Sequence, residues 1–134
     1  MNRSVGIAAA LLALATAAQA AGQGRCEAGA HVELPRLREG PSDMAIYMAY
    51  PLRAAANHQA GVVRVNCAVR INATLYDCRV LSEKPAGEGF GAHALDLADL
   101  AIVDPLRCDG RPVPGARVIV PLRFDPPTRT FRPH

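Results

Sequence analysis

The sequence predicts an α+β domain in which a three-stranded antiparallel sheet carries two helices packed on one face. Three observations point there. Stretches at about 62–70, 75–81 and 116–124 alternate apolar and polar residues with a period of two. A stretch from Phe90 to Ala101 repeats its apolar residues at helical spacing. The elements follow one another as helix, strand, strand, helix, strand.

Residues 21–44 are rich in glycine and polar side chains and show no sustained period, so they read as an extended lead-in that Val32 and Leu34 tie to the body. The alternation from Met44 to Tyr50 is imperfect and yields no element. Pro51 then stands where a helix can begin, because its fixed φ suits a first turn. Leu52, Ala54, Ala55 and Ala56 continue as a short helix over 52–58 that stops before Gly61.

The first strand is the clearest segment. Val63, Val65, Cys67 and Val69 fall on one face, and Arg64, Asn66 and Arg70 on the other. In the second strand, Tyr76, Cys78 and Val80 share a face. Ile71, Asn72, Ala73 and Thr74 make the turn between them, with Asn72 the residue best suited to left-handed geometry.

A two-residue Asn72–Ala73 loop sets Cys67 directly opposite Cys78. Opposite β-carbons lie about 4.5–5.5 Å apart, slightly wide of the roughly 3.8 Å a disulfide prefers, so a small twist allows the bridge. The same loop puts the cysteines at a hydrogen-bonded pair, the less convenient site for bridging, so a different loop length stays open. Two buried thiols are the bland alternative.

The chain has four cysteines, and a Cys67–Cys78 bridge leaves Cys26 and Cys108 to pair by elimination. A structural zinc site is the competing use of such residues. No Cys-x-x-Cys pair occurs, and His31, His58, His93 and His134 are not spaced as ligands, so no metal and no cofactor are expected.

Lys84, Pro85, Ala86 and Gly87 end the second strand. In the helix that follows, Phe90, Ala94, Leu97, Ala98 and Ala101 form one stripe, with His93 and Asp96 off it and solvated. Pro105 ends that segment, and Asp109, Gly110, Arg111 and Pro112 are turn chemistry. The last strand places Val118, Val120, Leu122 and Phe124 on one face. Pro121 cannot donate to a ladder, so this strand should be a sheet edge. The remaining residues, 126–134, read as a loose tail.

Residues 1–20 read as a signal peptide. Arg3 supplies the positive start, an apolar run follows from Val5, and Ala18-Gln19-Ala20 fits a cleavage site that leaves Ala21 as the mature N-terminus. The run is about fourteen residues, against the roughly 18–20 a membrane-spanning helix needs. Export to the periplasm follows, and an oxidising compartment suits paired cysteines.

The chain of 134 residues suffices for one domain, and at 50% hydrophobic it can build a core, mainly from aliphatic residues since Trp is absent. The charge of +3, roughly +2 after cleavage, is too weak and its arginines too scattered for nucleic-acid binding. Ser4, Ser42 and Ser82 stand in no nucleophile pattern. The carboxylate pairs Asp96/Asp99 and Glu83/Glu88 read as solvated charges, so the chain is not expected to be an enzyme.

In order and spacing, the motifs resemble the C-terminal domain of the TonB energy transducer over about residues 45–125. They begin with Tyr50-Pro51 and Ala54, then Gly61-Val62-Val63-Arg64-Val65, then the run from Cys78 through Ser82 and Pro85 to Ala86. Phe90, Ala94-Leu95, Pro105, Gly110, Pro112-Val113, Val118, Val120-Pro121 and Phe124 complete them. Each is weak alone; their succession is specific.

The resemblance implies a domain that captures extended segments of outer-membrane receptors by adding them to its sheet edge. It places that edge at Arg117, Val118, Ile119, Val120, Pro121 and Leu122, with Tyr50 and Pro51 nearby. The implied partners are TonB-dependent receptor segments or another periplasmic protein. The N-terminal segment lacks the family's motor-contacting His. The roughly thirty residues before Tyr50, at most ~100 Å when extended, are not Pro-rich. Ala49 stands where relatives can carry a polar residue. The expectation is therefore a free binding module. An anchored, complete transducer, if the N-terminal segment is uncleaved, and a disulfide-stabilised inhibitor or structural protein are the alternatives.

Overall fold

A computed structural model describes residues 25–127. The expected signal peptide and residues 128–134 of the expected tail lie outside the described residues. In chain order the elements are β1 (Val32–Glu33), β2 (Arg36–Glu39), α1 (Asp43–Met48), α2 (Leu52–Ala56), β3 (Gly61–Val69) and β4 (Leu75–Lys84). There follow α3 (Phe90–Ala98), β5 (Ile102–Asp104), β6 (Arg107–Cys108), β7 (Arg111–Pro112) and β8 (Arg117–Phe124).

The expected three-stranded antiparallel sheet is present, in the order β4-β3-β8. Two smaller sheets, β1-β6-β7 and β2-β5, and a third helix correct the expectation of one sheet and two helices. The extra helix, α1, begins at a serine cap. The Ser42 hydroxyl accepts from the Ala45 N–H at 3.2 Å, and Asp43 adds a negative charge to the first turn. Because α1 is only six residues long, its apolar pattern looked like imperfect alternation. The expected helix over 52–58 ends earlier, at Ala56, since His58 takes a left-handed φ of 50°.

The lead-in is also more ordered than its composition suggests. Val32 pairs with Cys108 and Glu33 with Arg107, while Arg36 pairs with Asp104 and Leu37 with Val103. The Cys26–Cys108 disulfide, with Cα atoms 5.5 Å apart, fastens this strap to the β6–β7 hairpin. That hairpin turns at Asp109 and Gly110, both at positive φ (49° and 75°), which is the geometry a two-residue hairpin loop requires. None of these short strands can be read from periodicity, because two to four residues do not define a period.

The β3–β4 hairpin departs from the expected register in an informative way. Its loop is three residues, not two: Arg70 donates to the Thr74 carbonyl at 2.8 Å, and Val69 stands opposite Leu75. Ala73, rather than Asn72, occupies the left-handed position, at φ 70°. Asn72 instead uses its side-chain oxygen, accepting from the Thr74 N–H at 3.2 Å and hydroxyl at 2.7 Å.

The ladder then shifts between Asn66 and Ala68, where Asp77 bulges with φ 46°. That bulge restores Cys67 and Cys78 to partnership, with Cα atoms 4.1 Å apart in a disulfide. It also reverses the side-chain parity. Tyr76 therefore does not share the face of Cys78 and Val80; it lies on the outer face, under the Arg70 guanidinium at 4.6 Å from the ring centroid.

The core is built on β3, whose inward residues Val63, Val65, Cys67 and Val69 are fully buried. The α3 stripe of Phe90, Ala94, Leu97 and Ala98 covers them, and Val120, Leu122 and Phe124 extend the layer along β8. At one end, Tyr50, Phe90 and Phe124 form an aromatic cluster with centroids 5.1–6.0 Å apart. Gly61 admits the Phe90 ring: a β-carbon there would fall 2.7 Å from three of its atoms.

Gly61→Ala is therefore expected to destabilise the domain by about 1–3 kcal/mol through overpacking, measured by urea unfolding. An unchanged midpoint would show that the ring is free to shift.

Candidate functional site

The candidate site is the free edge of β8, and its character follows from the phase of the β3–β8 ladder. Facing residues run from Gly61 opposite Phe124 to Ala68 opposite Arg117 without a shift. Just beyond, Val69 donates to the Ala116 carbonyl at 2.9 Å. Hydrogen-bonded and non-bonded pairs alternate in an antiparallel ladder. Val118, Val120, Leu122 and Phe124 therefore bond to β3, while the backbone groups of Arg117, Ile119, Pro121 and Arg123 point away from it.

Pro121, opposite Arg64, thus occupies a position where β3 asks for no donor. Its missing N–H costs the sheet nothing and removes one donor from the free edge. What remains outward is the N–H of Arg117, Ile119 and Arg123 and the carbonyls of all four residues. No described strand lies beyond β8.

The side chains alternate in step with the backbone. Val120 and Leu122 are buried and Val118 half-buried, so these positions face the core. Arg117, Ile119, Pro121 and Arg123 stand on the outer face, where Ile119 is 43% exposed. Tyr50 and Pro51 are buried. The Tyr50 ring packs edge-on against Phe124, and its hydroxyl donates to the Gln59 carbonyl. Burial, then the nearby charge of Asp125, raises the Tyr50 pKa above its usual value. Tyr50 supports the C-terminal end of β8 from within the core, and neither residue lines its outer row.

Arg117 is the most connected residue of the edge. Its guanidinium donates to the Asn66 side-chain oxygen at 2.5 Å and carbonyl at 3.0 Å, and to Asp77 through the carboxylate at 3.0 Å and the carbonyl at 2.8 Å. It thereby ties all three strands together at the bulge. The hydrogen bond from Arg117, then the charge of Arg79, holds the Asp77 carboxyl below the usual carboxylate range.

Arg123 donates to Asp125 at 2.8 Å, which raises the guanidinium pKa further. Asn66, Asp77 and Arg123 were not singled out as site residues in the sequence. Arg123 alone had a signal there, since it continues the outward alternation of Arg117, Ile119 and Pro121.

The carboxylates read as solvated also need correction: Glu83 and Glu88 are half-buried, with Glu88 3.9 Å from Arg53. Among the described residues no group of three or more His, Cys, Asp or Glu is placed to hold a metal. All four cysteines are in disulfides.

The family model described as Gram-negative bacterial TonB protein C-terminal matches residues 46–126. The chain belongs to the TonB C-terminal domain family. The match begins inside α1, runs through β8 and leaves the strap of β1 and β2 in front of it. Comparison with curated proteins returned no match. TonB C-terminal domains are periplasmic, transport-related and non-enzymatic, and they interact with outer-membrane receptors.

The Asp77 pair gives a pH test. Its folded pKa is depressed, so its contribution to stability is present above the unfolded value of about 3.9 and is lost as pH falls through the folded value. Carboxyl NMR titration should place Asp77 below the ordinary aspartate value, and Arg117→Ala should raise it; no movement would detach Asp77 from Arg117.

Proposed function

We propose that this TonB-family domain is a periplasmic binding module that accepts extended protein segments by β-strand addition to the outward edge of β8. The observation that carries the reading is the ladder phase. Among the described residues it leaves three N–H groups and four carbonyls of Arg117, Ile119, Pro121 and Arg123 unpaired along one line.

The opposite edge is a poorer template. The β3–β4 register shifts twice, and β4 twists away at its bulges. The strap, closed by Cys26–Cys108, binds the β5–β7 region and leaves β8 uncovered. The natural segments in this reading are those of TonB-dependent outer-membrane receptors. The signal peptide is cleaved after Ala20, which N-terminal sequencing of the periplasmic protein should show as Ala21; an intact N-terminus would favour the anchored transducer.

Pro121 makes the mode of binding testable. Restoring its N–H with Pro121→Val adds one backbone hydrogen bond to a docked strand, about 1 kcal/mol or roughly fivefold in affinity. Calorimetric titration with a receptor plug segment should show that gain. A variant that binds no more tightly would place the docked strand elsewhere.

A further inference from the structure

We infer that the segment accepted at β8 carries acidic side chains at its outward-facing positions, because the sheet face it would join is cationic. This rests on strand addition at β8, and deepens that reading to the chemistry of the partner.

A strand laid along β8 continues the sheet, so its alternate side chains fall inward and outward with those of Val120 and Ile119. Its outward side chains stand beside the row of Arg117, Ile119, Pro121 and Arg123. One strand further in lies Arg64, opposite Pro121. Cross-strand neighbours interact at about 4.5–5.5 Å between β-carbons, and diagonal ones within reach of a long side chain. The charge of this face therefore selects what it will sit beside.

Among the described residues that charge is not balanced. Asp77 is shared by Arg117 at 3.0 Å and Arg79 at 3.5 Å, so one cation is left over at the bulge. Arg123 is matched by Asp125 alone. Arg64 is exposed and has no carboxylate within ion-pair distance among the described residues.

Lysine or arginine outward on the incoming strand would add to this excess, whereas aspartate or glutamate relieves it. Inward positions meet the core-facing line of half-buried Val118 and buried Val120 and Leu122, and call for apolar residues. The partner motif is thus an alternation of apolar and acidic residues, a stricter requirement than main-chain pairing alone imposes.

The test uses the mature protein and three synthetic peptides with valine at every inward position and aspartate, threonine or lysine at every outward one. Each pattern is palindromic, so it serves for either strand direction. NMR titration of the Arg117–Arg123 amides gives the affinities, and vesicles of phosphatidylglycerol serve as a lipid comparison.

The aspartate peptide should bind at least about tenfold more tightly than the lysine peptide at low ionic strength. Salt should narrow the difference, and so should Arg64→Gln combined with Arg79→Gln. Equal affinity for the three peptides, with the edge amides shifting, would overturn the acidic preference and leave strand addition standing. No shift of those amides with any peptide would overturn strand addition itself. Vesicle binding without discrimination among peptides would assign the cationic face to a lipid surface and overturn the proposal.

Discussion

The phase of the hydrogen-bond ladder between β3 and β8 is the constraint on which the rest of this domain depends. Once Val69 donates to Ala116, every second residue of β8 is committed to β3. The same choice sends Val120, Leu122 and Phe124 into the core and Ile119 and Arg123 to the outer face. It places the one residue without an N–H, Pro121, where β3 needs no donor. A slip of one residue would break the ladder at Pro121 and turn three large apolar side chains into water. Core packing and edge chemistry are therefore one decision.

The other features hold that decision in place. The aromatic cluster of Tyr50, Phe90 and Phe124 anchors the far end of β8 where it meets Gly61. Arg117 anchors the near end, bonded to Asn66 on β3 and Asp77 on β4. The Cys67–Cys78 bridge fixes the bulge that presents Asp77 to Arg117. The second bridge, Cys26–Cys108, spans 82 residues of sequence and docks the strap, which restricts the unfolded chain in a domain of modest size. An edge held at both ends is ordered before any strand is added to it, and in the proposed binding mode that would lower the entropic cost of docking.

Much of this was legible in the sequence because long, one-sided elements announce themselves. The nine residues of β3 and the eight of β8 alternate cleanly, and the α3 stripe follows helical spacing. Pro121 signalled an edge for a stated physical reason. The rest was hidden by length and by bulges. The strands β1, β6 and β7 have two residues each, too few to carry a period. The bulge at Asp77 breaks parity in the middle of β4, so Tyr76 looked inward when it faces out. Ala73 adopts the left-handed turn geometry for which Asn72 was the natural candidate. The partners of Arg117 lie 40 and 51 residues away in sequence, and no local pattern announces them.

Amide hydrogen exchange along β8 reads the ladder phase directly, residue by residue. In the free protein Val118, Val120 and Leu122 should be protected while Ile119 and Arg123 exchange as open amides, and the last two should gain protection when a segment docks. Protection of Ile119 and Arg123 in the free protein, with Val120 and Leu122 exchanging freely, would contradict the account.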